Sequence, residues 1–419
     1  MGLPLAGVRV LDLSRLLPGG FCSLLLADFG AEVLKVEDTG QGDYIRWAPP
    51  FYGGPPTPED TAKSSLFLSL NRNKRSVRID LKSEGGREVL LRLVREHDVV
   101  LESFRPGVLD RLGVGYERMR EVNPGIVYCA ITGYGQTGPK RDASGHDMNY
   151  LGLVGLLGLS GEAGGPPVQS EGQIADLGGG ALMAAFGIMA ALRERDGSPS
   201  HPGSGEGQLV DVSMADGALS WLAMVAGRYF ADGSVPRRGE QMLAGALICY
   251  RPYECADGWV TLGALEPKFW QAWCRGVGRE DLIEKQFEKP GSQAHARVVE
   301  LFKSRTRAEW EAFAGEHDCC LEPLLDLDEA LASRLVQERE MVVELHQPGV
   351  QGAVRQLGIP VKLARTPGDH GRLPGPALGE HTEAVLRAAG YSAEEIAQLV
   401  EQGAVAGPPQ SVSQASFLG

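Results

Sequence analysis

The chain has 419 residues, 43% of them hydrophobic, which is enough for two or three domains of the usual ~100 to 200 residues. Its 54 acidic and 41 basic residues give a net charge of −13, so the overall field repels nucleic acid and anionic lipid. The longest apolar run, over 181–192, is shorter than the ~20 residues that cross a bilayer, and no signal-peptide pattern is present. We therefore predict a folded cytoplasmic protein without nucleic-acid or membrane partners.

The first third of the chain alternates short β-branched runs with helical stretches, which predicts a parallel sheet with crossover helices. Pro18-Gly19-Gly20 indicates a loop before the first helix, and Gly30 indicates the end of that helix. The predicted elements are, in chain order, a strand over 8–13, a helix over 21–29, strands over 32–37 and 76–81, a helix over 85–96, and strands over 99–102 and 126–132.

The pattern changes in the second half of the chain. The run 248–262 indicates a hairpin around Ala256-Asp257-Gly258, and a second, smaller domain is expected to begin near there. Ser392 with Glu395 indicates a capping box, and the final stretch 407–419 has no periodicity and is predicted to be disordered. Other helices are predicted over 178–195, 268–277, 307–314 and 327–332.

Seven cysteines are scattered along the chain without a CxxC pair. Their spacing is not that of zinc ligands, so we predict no metal site. We interpret them as reduced thiols that mostly fill the core.

A cluster of basic residues over 71–82 is unusual in so acidic a chain. It indicates either a solvated surface or a site for a phosphate-rich ligand. The second interpretation gains support because Arg105, Arg111 and Lys140 follow predicted strand ends, where open parallel sheets bind ligands. The cluster consists of Arg72, Lys74, Arg75, Arg78 and Lys82.

Three further residues are candidates for acid–base chemistry, each with a structural alternative. His146 lies in a polar turn and either forms structural hydrogen bonds or transfers protons. Asp176 precedes Gly178-Gly179-Gly180 and is either an N-cap or a functional carboxylate on a backbone that something approaches closely. Glu266 leaves a strand and precedes a helix, so its structural alternative is a helix cap or a first-turn acid. Glu37 invites a dinucleotide interpretation, but the loop SRLLPGG after the first strand contains no GxGxxG.

A series of motifs follows in order along nearly the whole chain: LAGVRVLDLSRLLPGGFCSLLLADFGAEVLKVE, NRNKRSVRIDLK, ESFRPGVLDRLGVGYE, AITGYGQTGPKRDASGHDMNYLGL, ADLGGGALMAAFGIMAAL, GEGQLVDVSMADG, YECADGWVTLGALEPKFW and LGEHTEAVLRAAGYS. In this order they resemble the family III CoA-transferase (CaiB/BaiF) superfamily, and most of all its α-methylacyl-CoA racemases. The resemblance implies an α/β fold class, with a large Rossmann-like domain built on a parallel sheet and a smaller α+β domain. It also implies an obligate homodimer of interlocked rings.

The domain boundaries combine the resemblance with the change of pattern. We expect the large CoA-binding domain over 1–215, the small domain over 216–335, and a segment over 336–419 that returns to the large domain. An acyl-CoA thioester is the implied substrate, with no other cofactor. The resemblance implies CoA contacts from Ile79, Lys82, Glu102, Phe104, Arg105, Arg111, Lys140, Gly145, Asn149 and Tyr150.

Two activities remain open within this superfamily. In racemases the residues matching His146 and Asp176 are acid–base groups on opposite sides of the substrate α-carbon, and the one matching Glu266 pairs with the histidine. In transferases the residue matching Asp176 is a nucleophile. The histidine, Glu266 and the lack of a glycine-rich loop over 244–265 favour a 2-methylacyl-CoA racemase, with backbone N–H groups at 176–178 as enolate donors.

Other positions depart from the racemase pattern. Gly172 stands where racemases have an asparagine that holds the aspartate, and Asp38 replaces an arginine near the CoA phosphates. The stretch 42–61 is longer than in the racemases and is more similar to the transferases. A CoA-transferase therefore stays the alternative.

Overall fold

The computed structural model describes residues 2–411 and divides the chain into two compact units. The larger unit contains the described part of 1–154, all of 172–221, and the described part of 334–419. The smaller unit contains 155–171 and 222–333. The chain thus enters the smaller unit twice, whereas the sequence analysis expects one passage.

The strands are, in chain order, β1 Arg9–Asp12, β2 Glu32–Glu37, β3 Lys74–Ile79, β4 Val99–Glu102, β5 Val127–Thr132, β6 Gly197–Ser198, β7 His201–Pro202, β8 Leu209–Ser213, β9 Tyr250–Cys255, β10 Gly258–Gly263, β11 Leu321–Pro323, β12 Val342–His346, β13 Ala353–Leu357 and β14 Val405–Ala406.

The α-helices are α1 Leu16–Asp28, α2 Ser65–Asn71, α3 Glu84–Val94, α4 Val108–Arg111, α5 Tyr116–Val122, α6 Asp147–Leu153, α7 Leu156–Leu159, α8 Met183–Asp196, α9 Met214–Ser220, α10 Ala223–Asp232, α11 Pro267–Gly276, α12 Gln293–Lys303, α13 Arg307–Glu316, α14 Leu327–Ala332, α15 Arg334–Glu338, α16 Thr382–Ala388 and α17 Ala393–Glu401. Tyr44–Trp47 and Glu280–Lys285 are 3₁₀-helices, and Ile174–Leu182 is a π-helix.

A seven-stranded sheet in the order β14-β3-β2-β1-β4-β5-β8 forms the centre of the larger unit. Its strands pair in parallel except β14, which is antiparallel to β3. Every residue of β4 and β5 is buried, as expected of parallel strands covered on both faces. The predicted parallel sheet is therefore confirmed, and the carboxyl ends of its parallel strands lie along one edge.

Helices from all three parts of the chain that form the larger unit pack around this sheet. The helices α3, α5, α16 and α17 contribute Leu90, Met119, Leu386 and Ile396 to one core with the strand residue Leu11. The helix α1 packs on β1, β2 and β4, and α8 packs on β5 and β8. Every cysteine except Cys320 is buried, which confirms their interpretation as mainly core residues.

The first helix begins earlier than predicted. It includes Pro18-Gly19-Gly20, which the sequence analysis placed in a loop. Proline is tolerated in a first helical turn because the N–H it lacks has no intrahelical partner there. A Cβ at Gly19 would lie 2.0 Å from the Ser14 Oγ, so the sharp turn from β1 into α1 requires glycine.

One continuous helix of 23 residues runs over Ile174–Asp196, because the π-helix leads directly into α8. It is longer than the apolar run identified in the sequence, since the helix begins before the glycines. By length and composition alone it is long and apolar enough to cross a membrane, and 44% of its most apolar window is buried. Core helices of soluble proteins pass the same test, so the absence of a membrane partner stays a prediction.

The smaller unit contains an antiparallel sheet in the order β11-β10-β9. Ala256 and Asp257 join β9 to β10, which confirms the predicted hairpin. Its core stacks Trp270 on Trp273 and Trp273 on Phe302.

The C-terminal part of the described chain returns to the larger unit. Ser392 and Glu395 form the predicted capping box at the start of α17. Of the predicted disordered tail 407–419, residues 412–419 lie outside the described residues. The carbonyl oxygen of Gly407 accepts a hydrogen bond of 2.6 Å from Arg78 Nη1, so this end of the described chain is attached to β3.

Candidate active site

The carboxyl edge of the parallel sheet carries most of the predicted CoA-binding residues. Lys82 follows β3, Arg105 follows β4, Arg111 ends α4, and Lys140 follows β5. All four side chains are exposed, and the Lys140 ammonium lies 5.7 Å from the ring centroid of Tyr134. The topology thus brings these basic groups to the edge that the sequence analysis expects, although their contact with CoA stays a prediction.

The basic cluster over 71–82 is mainly structural, and its interpretation as one phosphate site is wrong. Arg72 and Lys74 are buried and form ion pairs with Asp28 at 2.6 Å and with Asp12 at 3.5 Å. Arg78 is also buried and donates to backbone carbonyls. The other two members of the cluster lie at opposite ends of β3. Arg75 is near its amino end, and Lys82 follows its carboxyl end.

The side chain of Ile79 lies in the core and is 1% exposed, so a contact with CoA through that side chain is ruled out. The prediction followed from the motif, but the alternation of β3 turns this residue inward, with Val77 in the same core.

A small pocket of about 80 Å³ lies beside the end of β4. Its lining includes Glu102, Arg105, Tyr128 and Gln136. The buried Glu102 carboxyl accepts the N–H of Phe104 at 2.6 Å and the hydroxyl of Tyr128 at 3.5 Å. Burial raises the pKa of Glu102 to about 8. Glu102 therefore holds the turn that carries Phe104 and Arg105. Its carboxyl lines the pocket in the protonated, uncharged form at pH 7.

The turn with Gly145 and His146 leads into α6. The N–H of His146 donates to Asn149 Oδ1 at 3.0 Å, and the buried Tyr150 donates its hydroxyl hydrogen bond to the Gly145 carbonyl. Gly145, Asn149 and Tyr150 thus fix the turn, and the imidazole of His146 is left exposed.

Asp176 lies in the first turn of the helix Ile174–Asp196, and its N-cap interpretation is wrong because Gln173 occupies that position. Asp147 Oδ1 accepts the N–H groups of Ala175 at 2.6 Å and of Asp176 at 3.0 Å. Burial, and then the charge of Asp147, raise the pKa of Asp176 to about 6, while His146 acts to lower it. The structure therefore joins His146, Asp147 and Asp176 in one electrostatic cluster.

Gly178, Gly179 and Gly180 permit a close approach, as the sequence analysis anticipates, but the approaching group belongs to the protein itself. A Cβ at Gly179 would lie 2.6 Å from the Met214 carbonyl oxygen, and one at Gly178 would lie 2.8 Å from the ring of Trp221. The glycines therefore seat this helix against α9.

Two of the backbone donors expected for an enolate are engaged elsewhere. The N–H of Asp176 donates to Asp147, and that of Leu177 donates to the Gln173 carbonyl at 2.9 Å. That part of the mechanistic expectation is wrong at these two amides, because the helix begins earlier than predicted.

Glu266 lies in the smaller unit, at the N-cap position of α11. Its side chain is exposed. His146 belongs to the larger unit, so their pairing stays a prediction.

Asp38, which departs from the racemase pattern, and its neighbour Glu37 both form ion pairs within the protein. Asp38 forms an ion pair with Arg15 at 2.7 Å. Glu37, which invited a dinucleotide interpretation, is buried in an ion pair with Arg46 at 2.7 Å. That pair anchors the 3₁₀-helix of the long stretch 42–61 to β2, so Glu37 is unavailable to a ribose.

Comparison with known proteins identifies the family. The model of CoA-transferase family III matches residues 5–382. This chain belongs to CoA-transferase family III. It is 35% identical to the α-methylacyl-CoA racemase of Mus musculus over 94% of this chain and 96% of the relative. It is 34% identical to the succinyl-CoA:mesaconate CoA-transferase of Haloarcula marismortui over 91% of this chain and 96% of the relative.

Solved structures of this family have the same fold. A CaiB/BaiF family protein from Brucella suis matches with a TM-score of 0.77 and 29% identity, over 93% of this chain and 100% of that one. Members of the family are enzymes, either racemases or transferases that act on acyl-CoA substrates, and the family alone does not decide between them.

Sequence reasoning missed Asp147 as a component of the site. The residue lies in the same GHD motif as His146, and its carboxyl is 2% exposed. The position of this carboxylate next to His146 was the signal in the sequence that could have identified it. Its contacts with the N–H groups of Ala175 and Asp176 could not be predicted, because those residues lie in a distant segment of the chain.

Proposed function

We propose that this family III protein is a racemase or epimerase of 2-methyl-branched acyl-CoA thioesters that acts by 1,1-proton transfer through an enolate. One observation carries the proposal: Asp147, the residue after His146, accepts the N–H of Asp176 at 3.0 Å, so the turn that carries His146 lies against the backbone of Asp176. The identity of 35% and 33% to two α-methylacyl-CoA racemases over nearly the whole chain is in keeping with it.

The hydrogen next to a thioester carbonyl is weakly acidic, so its removal needs a base of matched pKa. A carboxyl with a pKa of about 6 is ionised at neutral pH and binds a proton more strongly than an ordinary aspartate. A single base on one face of the α-carbon exchanges the proton with retention. Inversion needs a second group on the opposite face, and His146 with Asp176 provide the two.

The substrate is proposed to be held by its CoA part. Lys82, Arg105, Arg111 and Lys140 supply positive charge at the carboxyl edge of the sheet, where phosphates form charge-assisted hydrogen bonds. The CoA thioester is itself the substrate, and the proposed chemistry needs no further cofactor. Glu266 stays the predicted partner that orients His146, and a cytoplasmic role in lipid metabolism is part of this proposal.

A CoA-transferase is the second candidate, because relatives with that activity are about as similar as the racemases. In this mechanism the Asp176 carboxylate attacks the thioester carbonyl and expels CoA thiolate, which leaves a mixed anhydride. The thiolate then attacks the aspartyl carbonyl, releases the first carboxylate and forms an aspartyl-CoA thioester. An acceptor carboxylate repeats these steps in reverse.

We also propose the interlocked homodimer that the family resemblance implies. Large apolar side chains are exposed on α8, where Phe186 is 73% exposed, and on α10, where Phe230 is 80% exposed. Met189 and Met224 on the same two helices are exposed as well. Each of the two helices thus presents exposed apolar side chains, and such side chains often belong to interaction surfaces.

The racemase proposal is tested with one enantiomer of a 2-methylacyl-CoA and the variant His146→Ala. Wild-type protein is expected to epimerise the substrate without an acceptor acid, and His146→Ala is expected to abolish epimerisation. Transfer of CoA to an added carboxylate that persists in His146→Ala contradicts the proposal, because a carboxylate nucleophile needs no base.

A further inference from the structure

The carboxyl of Asp147 joins two segments that are far apart in the sequence. It lies in the first turn of α6, is 2% exposed, and accepts through Oδ1 the N–H groups of Ala175 and Asp176 at 2.6 Å and 3.0 Å. The first N–H groups of a helix lack intrahelical acceptors, so a side chain from another element satisfies them here.

This helix begins in an unusual backbone geometry. Gln173 has a φ of 46°, in the left-handed region that residues other than glycine rarely adopt, and a π-helix follows. Single-turn π geometry occurs often at functional sites and is held by its surroundings. The two hydrogen bonds to Asp147 come from residues two and three positions after Gln173, so they fix where the Asp176 backbone lies.

The other oxygen of Asp147 has a different environment. Oδ2 is buried and has no hydrogen-bond partner among the described residues. A second buried carboxyl therefore stands next to Asp176, in a setting where its charge is poorly screened. His146 and the hydroxyl of Tyr150 also interact electrostatically with Asp176.

Gly172 adds to the importance of this contact. The racemase pattern places an asparagine there to hold the aspartate, and glycine has no side chain with which to do so. In this chain the holding group acts on the backbone from the turn that also carries His146.

We propose that Asp147 is a positioning residue that sets the place and the proton affinity of Asp176 through its two backbone hydrogen bonds and its buried charge. The inference rests on the proposed function only for the role of Asp176, because both candidate reactions use that carboxylate. A cap that serves stability alone would leave the titration of Asp176 unchanged.

Two variants separate the effect of the Asp147 charge from the effect of its two backbone hydrogen bonds. Asp147→Asn keeps an acceptor oxygen and removes the charge, so the acid limb of the kcat/KM profile is expected to move to lower pH by roughly one unit while the fold is retained. Asp147→Ala removes the acceptor, so hydrogen exchange at the amides of Ala175 and Asp176 is expected to accelerate and kcat to fall about tenfold or more, with KM little changed. Asp142→Asn, which changes a side chain 85% exposed in the same segment, is the control and is expected to change none of these.

The measurements apply to whichever reaction the full-length protein catalyses. The titration of Asp176, followed by ¹³C NMR and assigned with Asp176→Asn, needs no turnover, so it also distinguishes failure of this inference from failure of the racemase proposal. An Asp176 titration that is the same in wild type and Asp147→Asn overturns the inference. Should Asp147→Ala not fold, Asp147→Ser replaces it, and unchanged amide exchange in the folded variant contradicts the positioning role.

Discussion

The fold holds the carboxyl of Asp176 at a cost in stability. Its pKa of about 6 in the folded protein lies above its ordinary value of 3.8, because burial and Asp147 disfavour its charge. The folded protein therefore binds this proton more tightly than the unfolded chain does. The resulting destabilisation is absent below about pH 4 and grows as the pH rises from about 4 to about 6.

Asp176→Asn is therefore expected to stabilise the protein in a pH-dependent way. The substitution removes a buried charge, so stability should rise by about 1 to 3 kcal/mol at about pH 8 and change little at about pH 4. Denaturant unfolding at both pH values measures the difference. An equal change at both values contradicts the raised pKa.

A second prediction concerns CoA binding by the exposed basic residues at the carboxyl edge of the sheet. Arg111→Ala and Lys140→Ala should each weaken CoA binding by about 1.5 to 3 kcal/mol, because each removes a charge-assisted contact with phosphate. Calorimetry with CoA measures this, and the fold should be retained. Arg118→Ala on α5, which removes an exposed arginine paired with Glu121, is the control. Unchanged binding in both test variants rules out this binding site.

At the scale of elements, the crossing of the helix Ile174–Asp196 with α9 depends on glycine from both sides. A Cβ at Gly179 would lie 2.8 Å from the Ala218 N, and one at Gly217 would lie 2.0 Å from the Gly179 carbonyl oxygen. The helix that carries Asp176 therefore owes its position to the absence of side chains at this crossing.

Gly179→Ala is expected to destabilise the protein by several kcal/mol, although alanine favours helix by about 1 kcal/mol over glycine. Thermal or denaturant unfolding measures the change. Gly315→Ala in α13 is the matched control, because a Cβ there meets nothing within 4 Å and the change should be neutral or stabilising. A Gly179→Ala protein as stable as the control would contradict the close crossing.

Local patterns predicted elements well where the determining signals are local. Both β2 and β4 match the predicted ranges 32–37 and 99–102, because short runs rich in Val and Leu with clear boundaries are typical of buried strands. The start of α1 was missed because Pro18 and the glycines after it indicate a loop by composition, whereas their place in the first turn depends on a contact with Ser14.

The sequence allowed the residues of the candidate site to be predicted better than the contacts that these residues make. Motif order placed His146 and Asp176 in one site, and strand ends placed Lys140 near it. Arg72 and Lys74 were misassigned because their partners, Asp28 and Asp12, lie on other elements and only the folded sheet brings them together. Burial of a charged side chain is a property of the tertiary structure and is not encoded in its neighbours.

At the scale of the whole molecule, interlocked chains separate only when one of them unfolds. Sedimentation is therefore expected to show a species of about twice 44.8 kDa that yields no folded monomer on dilution. Phe230→Asp, which changes an exposed apolar side chain of α10, should reduce the yield of folded dimer. A folded monomer that appears when the wild-type protein is diluted contradicts the interlocked assembly.

The central claim is that His146 and Asp176 exchange the proton at the α-carbon of a thioester. Its most direct test is incubation of one enantiomer of a 2-methylacyl-CoA in D₂O without an acceptor acid, followed by mass spectrometry and chiral analysis. We predict one deuterium at the α-carbon together with loss of optical purity, and no loss of optical purity in His146→Ala. Transfer of CoA to an added carboxylic acid with no deuterium at the α-carbon would contradict the account.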